Sequence, residues 1–158
     1  VFGPRDPSYI SPILSAIQSD LCESGIDGVL STHIQRDALE KFSYVSPIGA
    51  AGVYLHAVAG DFQKEGPARE LFKSMIREIS ALAAAMGYPF EKDYVKINLE
   101  ILSNLSADAT TSMQRDIMEG KPSELDGLVM EPLRLAKKYS VSMPCYEEVA
   151  KVLCPLEF

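Results

Sequence analysis

The sequence predicts a mainly α-helical protein, and three features along its 158 residues support this fold class. From residue 67 to residue 86, apolar side chains repeat at the three- and four-residue spacing of a helix that buries one face. Glycines such as Gly87 and Gly120 stand where helical segments are expected to end. Strand-like segments are confined to the first 32 residues, so we expect only helices beyond about residue 37.

The first 32 residues have a different character, and for them we predict strand, helix and strand in that order. A short apolar segment at residues 1–3 precedes a turn, and a helix is expected from Pro7 to about Glu23, with Pro12 in its first turn. Residues 26–32 are the second strand candidate. The apolar face of the helix consists of Ile10, Ile13, Leu14, Ile17 and Leu21.

After these 32 residues, the first helix is expected from about Asp37 to Ala59. No charged residue occurs between residues 42 and 60. A membrane span is one interpretation, but Pro47 and several glycine, serine and tyrosine residues make this a poor span. We favour a buried central helix that Pro47 kinks or breaks. The small residues at 49–52 would let a neighbouring helix approach closely.

Five further helices are expected, at about residues 67–86, 91–105, 112–119, 123–139 and 146–153. Ser123 and Asp126 are spaced as in a capping box at the start of the fourth of them. Pro132 lies inside the same segment and is expected to kink it.

Composition excludes several function classes. A net charge of −7 argues against nucleic acid and against an anionic membrane surface. No C-x-x-C motif occurs and there are only two histidines, so we expect free thiols of a cytoplasmic protein and no metal site. The glycines form neither G-x-G-x-x-G nor a P-loop, so no phosphate-binding turn is expected. Because the chain also lacks an initiator methionine, we expect a fragment of a longer protein.

The most specific pattern lies between Thr111 and Asp126. It reads Thr-Ser-Met-Gln-Arg-Asp-Ile-Met-Glu-Gly-Lys-Pro-Ser-Glu-Leu-Asp. Taken alone, Glu124 in a first helical turn and Ser112 near a helix start have ordinary explanations as dipole and capping residues. Together, about a dozen positions resemble, in order, the signature of the ketopantoate reductases (2-dehydropantoate 2-reductases). The resemblance extends over essentially the whole chain and is sharpest up to Pro144.

The resemblance implies roles for four residues. The family's general acid is a lysine in a Trp-x-Lys-(Leu/Phe) pattern, and the matching lysine here is Lys41, within Leu-Glu-Lys-Phe. The serine of the signature, Ser112, would contact the substrate carboxylate region, and Glu124 would face its keto or hydroxyl group. Ser46 is the candidate for one further polar substrate contact. Hydride addition to a keto carbon creates an alkoxide, which needs a proton and a nearby positive charge, as a lysine supplies.

The resemblance also implies an architecture. Residues 33–158 would be the helical, substrate-binding and catalytic C-terminal domain, similar to that of 6-phosphogluconate dehydrogenase, and residues 1–32 the tail of an N-terminal Rossmann domain. NADPH would be bound mainly by that missing domain, with no cofactor-binding residue in this fragment, which alone would be inactive. The implied activity is reduction of 2-dehydropantoate to pantoate, in pantothenate biosynthesis, by an enzyme that can be a homodimer.

Several positions depart from the family pattern. Leu39 replaces the tryptophan, Val45 and Gly49 replace asparagines four and eight residues after the lysine, and Val129-Met130 replaces Asn-Gly. The resemblance implies that these positions line the substrate pocket, so a paralogue acting on another 2-keto acid is one alternative. A helical dimerisation domain without catalytic activity is the other.

Overall fold

A computed structural model describes residues 1–6, 8–9 and 11–155. It confirms the mainly α fold, and within these ranges the only strand-like pairing is a single parallel bridge between Phe2 and Leu30. The helices are α1 (Pro12–Glu23), α2 (Ile34–Leu55), α3 (Ala59–Gln63), α4 (Pro67–Ala85), α5 (Tyr94–Ser103), α6 (Ser112–Met118), α7 (Glu131–Tyr139) and α8 (Pro144–Leu153), with a π-helical segment at Asp126–Met130. The chain divides into two compact units, residues 1–39 and 40–158.

The first unit corrects two predictions. The helix begins at Pro12, not at Pro7, because a residue that precedes proline is disfavoured in the helical region and Ser11 is extended (φ −82°, ψ 152°). Pro7 and Ile10 lie outside the described residues. The strand predicted at 26–32 forms only the bridge to Phe2, where Pro4 soon follows and cannot donate a ladder hydrogen bond.

The predicted apolar face of α1 is not buried within this unit. Ile13 is 70% exposed and Ile17 is 41% exposed, and none of the α1 residues is buried. The helix ends as expected, since Gly25 adopts a positive φ of 78° directly after its last turn.

The second unit is built around α4. This helix contacts α3, α5, α7 and α8, and six of its side chains are buried: Phe72, Met75, Ile76, Ile79, Leu82 and Ala83. Each large apolar side chain buried here contributes about 1.5–3 kcal/mol relative to an exposed one. The helix predicted at 67–86 is therefore confirmed as a core element, and Gly87 follows it with a φ of 91°.

Helix α2 is the buried central helix that was expected, and residues 46–52 are all buried. It continues through Pro47 without a break, although proline cannot donate to the carbonyl of Ser43 four residues earlier. Asn98 of α5 donates to that carbonyl at 3.0 Å and so replaces the missing bond. In the described part of the chain, no helix is both long and apolar enough to cross a membrane.

The predicted helix 123–139 is corrected at its start. Ser123 is not in the N-cap position, since the carbonyl of Glu124, one residue later, accepts a helical hydrogen bond from Leu128 at 2.9 Å. The carboxylate of Asp126 binds the Arg134 guanidinium at 2.8 and 2.9 Å and so forms no capping box. The irregularity expected at Pro132 occurs one turn earlier, as the π-helical segment.

Candidate active site

The candidate site begins with a stripe of residues along α2. Lys41, Val45 and Gly49 are spaced by four residues and therefore lie along one face of the helix, spanning about 12 Å of its axis. Lys41 is exposed, Val45 is 36% exposed and Gly49 is buried. Within the described ranges the Lys41 ammonium group has no hydrogen bond or ion pair, so its proton is available to a ligand.

Two other elements approach this stripe at Gly49. A methyl group placed there would lie 3.1 Å from Met113 Cε and 3.9 Å from both Thr111 Oγ1 and Leu128 Cδ1. Ser112 lies between the first two of these residues in sequence, and Glu124 lies one helical turn before Leu128. The segment with the family-like pattern therefore folds against the same helix that carries Lys41.

The hydroxyl of Ser112 is not used for capping. Thr111 is the N-cap of α6, because its side chain accepts from the Gln114 N–H at 3.2 Å. The Gln114 side chain in turn accepts from the Thr111 N–H at 2.9 Å, which completes a capping box. Ser112 is exposed and its side chain has no hydrogen bond to any described residue, so it can donate to a bound anion.

The carboxylate of Glu124 is likewise exposed and unpaired in the part of the chain that the structure describes. The neighbouring acid Asp126 differs, because hydrogen bonds from Arg134 lower the pKa of its carboxyl group. Arg134 also binds Glu131, at 2.7 Å. Of Glu124, Asp126 and Glu131, only Glu124 therefore has an unpaired carboxylate among the described residues.

Ser46 is placed differently from its predicted role as a substrate contact. It is buried, and its Oγ lies 2.6 Å from the Leu128 carbonyl oxygen and 2.5 Å from Tyr146 Oη. Both of its neighbours are protein groups, so the structure favours a supporting role for Ser46 over contact with a substrate.

No metal site accompanies these residues: across the described ranges, no group of three or more His, Cys, Asp or Glu side chains could hold a metal ion. The site thus offers a cationic donor on α2, with a hydroxyl and a carboxylate on segments that contact α2 where Met113 and Leu128 pack against the buried Gly49. Such a set can bind a small molecule that carries a carboxylate and a reactive oxygen.

Comparison with known proteins connects this arrangement to one family. Residues 33–157 match the family model described as "Ketopantoate reductase PanE/ApbA C terminal". The chain belongs to this family. The resemblance found in the Thr111–Asp126 pattern is thereby confirmed.

Members of the ketopantoate reductase family are similar over nearly all of the chain. A curated 2-dehydropantoate 2-reductase of Aquifex aeolicus (strain VF5) is 27% identical over 157 residues, which cover 97% of this chain and 50% of that protein. The crystal structure of 2-dehydropantoate 2-reductase from Methylococcus capsulatus shares the fold, with a TM-score of 0.84 and 24% identity, over 98% of this chain and 49% of that one. The chain thus spans about half the length of these relatives.

A second similar solved structure is that of a differently named enzyme. It is the ternary structure of D-mandelate dehydrogenase with NADH and anilino(oxo)acetate, with a TM-score of 0.73 and 18% identity, over 86% of this chain and 57% of that one. This helical fold therefore also occurs in a dehydrogenase whose structure contains NADH.

Sequence reasoning about the ketopantoate reductase signature missed two residues that support the site. Tyr146 is fully buried, and burial raises the pKa of its phenol strongly. Glu78 of α4 accepts the backbone N–H groups of Cys145 and Tyr146 at 2.8 and 3.1 Å, and so caps α8 from another helix. No local pattern indicates either contact, since Glu78 is 68 residues from Tyr146 and Ser46 is 100 residues from it.

Proposed function

We propose that the chain is the substrate-binding and catalytic half of an NADPH-dependent 2-keto acid reductase, which reduces 2-dehydropantoate to pantoate in pantothenate biosynthesis. Residues 33–158 would form the catalytic domain and residues 1–32 the tail of a cofactor domain. One observation carries the proposal: Lys41, Ser112 and Glu124 have unpaired, exposed side chains on elements that meet at Gly49. Family membership supports the same reaction class.

The cofactor does not fit this chain by itself, since no glycine-rich turn between a strand and a helix occurs among the described residues. When bound elsewhere, NADPH supplies a hydride. The role of this chain is then to bind and orient the keto acid and to supply a proton. We also propose that the whole protein is cytoplasmic and forms a homodimer.

The proton comes from Lys41. Its ammonium group donates to the keto oxygen as negative charge develops there, so that an alcohol forms and the lysine regains a proton from solvent. Ser112 donates a hydrogen bond to the substrate carboxylate, and Glu124 accepts one from the hydroxyl group that forms. Oriented binding of this kind makes proton transfer effectively intramolecular.

The loss of polar side chains at two positions of α2 favours a second candidate substrate class. Val45 and Gly49 stand where the family signature has asparagines, and the atoms around Gly49 include Met113 Cε and Leu128 Cδ1. A 2-keto acid with an apolar side chain would suit a site without these amides, because it leaves no polar group unpaired. The structural similarity to a D-mandelate dehydrogenase supports this class of substrate.

The test uses the full-length protein that contains this chain. NADPH oxidation is followed with 2-dehydropantoate and with a panel of branched and aromatic 2-keto acids, for the parent, Lys41→Ala and the matched exposed-lysine control Lys151→Ala. We expect turnover with at least one acid, a loss of kcat of about 100-fold or more in Lys41→Ala, and unchanged kinetics in the control.

The outcomes separate the alternatives. Highest kcat/KM with 2-dehydropantoate supports the first substrate, whereas a preference for apolar acids supports the second. Full activity of Lys41→Ala would exclude the lysine as general acid. Absence of turnover with every acid, together with intact self-association of the chain, would favour a helical dimerisation domain without catalysis.

A further inference from the structure

A carbonyl in the π-helical segment has lost its normal helical partner. Pro132 has no N–H, so the Leu128 carbonyl four residues earlier cannot receive the usual α-helical hydrogen bond. The chain widens to a π-helix at Asp126–Met130, and the Leu128 carbonyl accepts a hydrogen bond from Ser46 Oγ at 2.6 Å. A side chain of α2 thus supplies the donor that proline lacks.

Ser46 is itself held from the other side. Its hydroxyl hydrogen is directed to Leu128, so the Tyr146 hydroxyl, 2.5 Å away, is the donor of the bond between the two side chains. Both side chains are completely buried, and burial raises the pKa of the Tyr146 phenol, which keeps its proton on the oxygen. The Glu78 carboxylate accepts a hydrogen bond from the backbone N–H of Tyr146 at 3.1 Å and so fixes the Tyr146 backbone.

Leu128 connects this buried network to the candidate active site. Its carbonyl is bound by Ser46, and its own N–H donates to the Glu124 carbonyl at 2.9 Å. Glu124 lies just before the π-helical segment, and no contact with a described residue fixes its side chain. The position of its backbone therefore depends on how firmly Leu128 is held.

We propose that Tyr146 and Ser46 are positioning residues, which hold the π-helical segment so that the Glu124 carboxylate faces the substrate oxygen. The proposal rests on the proposed function, in which Glu124 contacts that oxygen. Neither side chain touches the substrate, and both act through the Leu128 carbonyl. Removing either hydroxyl should therefore impair catalysis only while Glu124 is present.

The structure provides a matched control. At Pro47 of α2, proline likewise frees a carbonyl, that of Ser43, and Asn98 donates to it at 3.0 Å. The Asn98 side chain is buried and supplied by another helix, like that of Ser46, but it has no bond to the Glu124 segment. Asn98→Ala thus disturbs an equivalent proline-freed carbonyl elsewhere in the same unit.

The first test is hydrogen exchange in the chain itself, with Tyr146→Phe, Ser46→Ala and Asn98→Ala compared with the parent. We expect the Leu128 amide to exchange at least about ten times faster in the first two variants, because its hydrogen bond to Glu124 opens more often. In Asn98→Ala, the exchange rate of the Leu128 amide should change no more than the rates of neighbouring amides in α7. Equally faster Leu128 exchange in all three variants would overturn the proposed link from Tyr146 and Ser46 to Leu128, because the faster exchange would then reflect a general loss of stability.

The second test uses the full-length protein and a 2-keto acid that it reduces. Tyr146→Phe should lower kcat by about 10- to 100-fold, as expected when a reacting group is displaced by a fraction of an ångström. In a Glu124→Ala background the same substitution should lower kcat less than twofold, whereas the effect of Asn98→Ala should be the same in both backgrounds. An undiminished effect of Tyr146→Phe without Glu124 would overturn the proposal.

The two tests separate failure of this inference from failure of the proposed function. If no keto acid is reduced but Leu128 exchanges faster only in Tyr146→Phe and Ser46→Ala, the structural link holds and the reductase assignment fails. If turnover depends on Lys41 but Glu124→Ala leaves kcat unchanged, the reductase assignment holds and the positioning role is overturned.

Discussion

Gly52→Ala is the substitution for which the structure predicts a clear and measurable penalty. Gly52 lies where α2 passes the start of α6, and a methyl group there would be 2.8 Å from Gln114 Cδ and Oε1 and 2.9 Å from Nε2. The Gln114 side chain cannot simply move aside, because its Nε2 donates to the Ala57 carbonyl at 2.7 Å and its Oε1 accepts from Thr111.

The magnitude follows from three contributions. Overpacking a well-packed contact costs about 1–3 kcal/mol. Displacing Gln114 from Ala57 leaves a buried donor and acceptor unpaired, at a further cost of about 1–3 kcal/mol. Replacing a helical glycine by alanine returns about 0.5–1 kcal/mol. We therefore expect the free energy of unfolding of Gly52→Ala to fall by about 1–5.5 kcal/mol.

Urea denaturation of the 158-residue chain, followed by circular dichroism, measures this change. Gly127→Ala is the matched control. Apart from the backbone of its own helical segment, no described atom lies within 4 Å of the added methyl group, so the substitution should be neutral or slightly stabilising. In Gln114→Ala, the further change Gly52→Ala should cost less than it does in the parent. A Gly52→Ala variant as stable as the parent would refute the packing argument.

Three further predictions concern phenols and thiols. Tyr44→Phe should leave the free energy of unfolding unchanged or raise it by about 1 kcal/mol in urea denaturation, because the buried Tyr44 hydroxyl has no partner among the described residues. Burial raises the pKa of Tyr146 above its unfolded value of about 10, so its contribution to stability is complete below that pH and is lost above it. Denaturation at several pH values between about 9 and 11 should show a fall of up to about 1.4 kcal/mol per pH unit that is smaller in Tyr146→Phe. Burial and the Glu78 carboxylate raise the pKa of the Cys145 thiol to about 11, so a disulfide reagent at neutral pH should modify exposed Cys22 first, in a fast phase absent from Cys22→Ser.

Local signals predicted the helical elements well. The spacing of apolar residues located α4, and Gly87 marked its end to within about two residues. The same spacing located α1, but the apolar side chains on that face are not buried in this chain, where Ile13 is 70% exposed and Ile17 is 41% exposed. Periodicity reports a face that is suited to burial, but only a contact can show that it is buried. The prediction of a strand at 26–32 was wrong for a similar reason, since strand pairing depends on the partner segment as well as on the strand itself.

The residues of the candidate site were predictable only in part. The order of residues in the signature singled out Ser112 and Glu124, and the structure places both on elements that meet α2. Their roles in catalysis remain predictions. Tyr146 could not be found in this way, because its relation to Ser46 exists only after residues 100 positions apart are packed together. A buried hydroxyl network has no fixed spacing in sequence.

A proline inside a helix is a sequence signal for a buried polar contact of this kind. Wherever a helix continues through a proline, the carbonyl four residues earlier needs a donor from elsewhere, and if it is buried that donor must be a side chain or water. Pro47 and Pro132 each obey this rule, with Asn98 and Ser46 as the respective donors. The two cases differ in their consequences, because Pro132 follows one turn after Leu128 and hence two turns after Glu124. A proline in that place obliges the domain to build a polar contact beside its candidate active site, and the buried pair of Ser46 and Tyr146 is the contact that this chain uses.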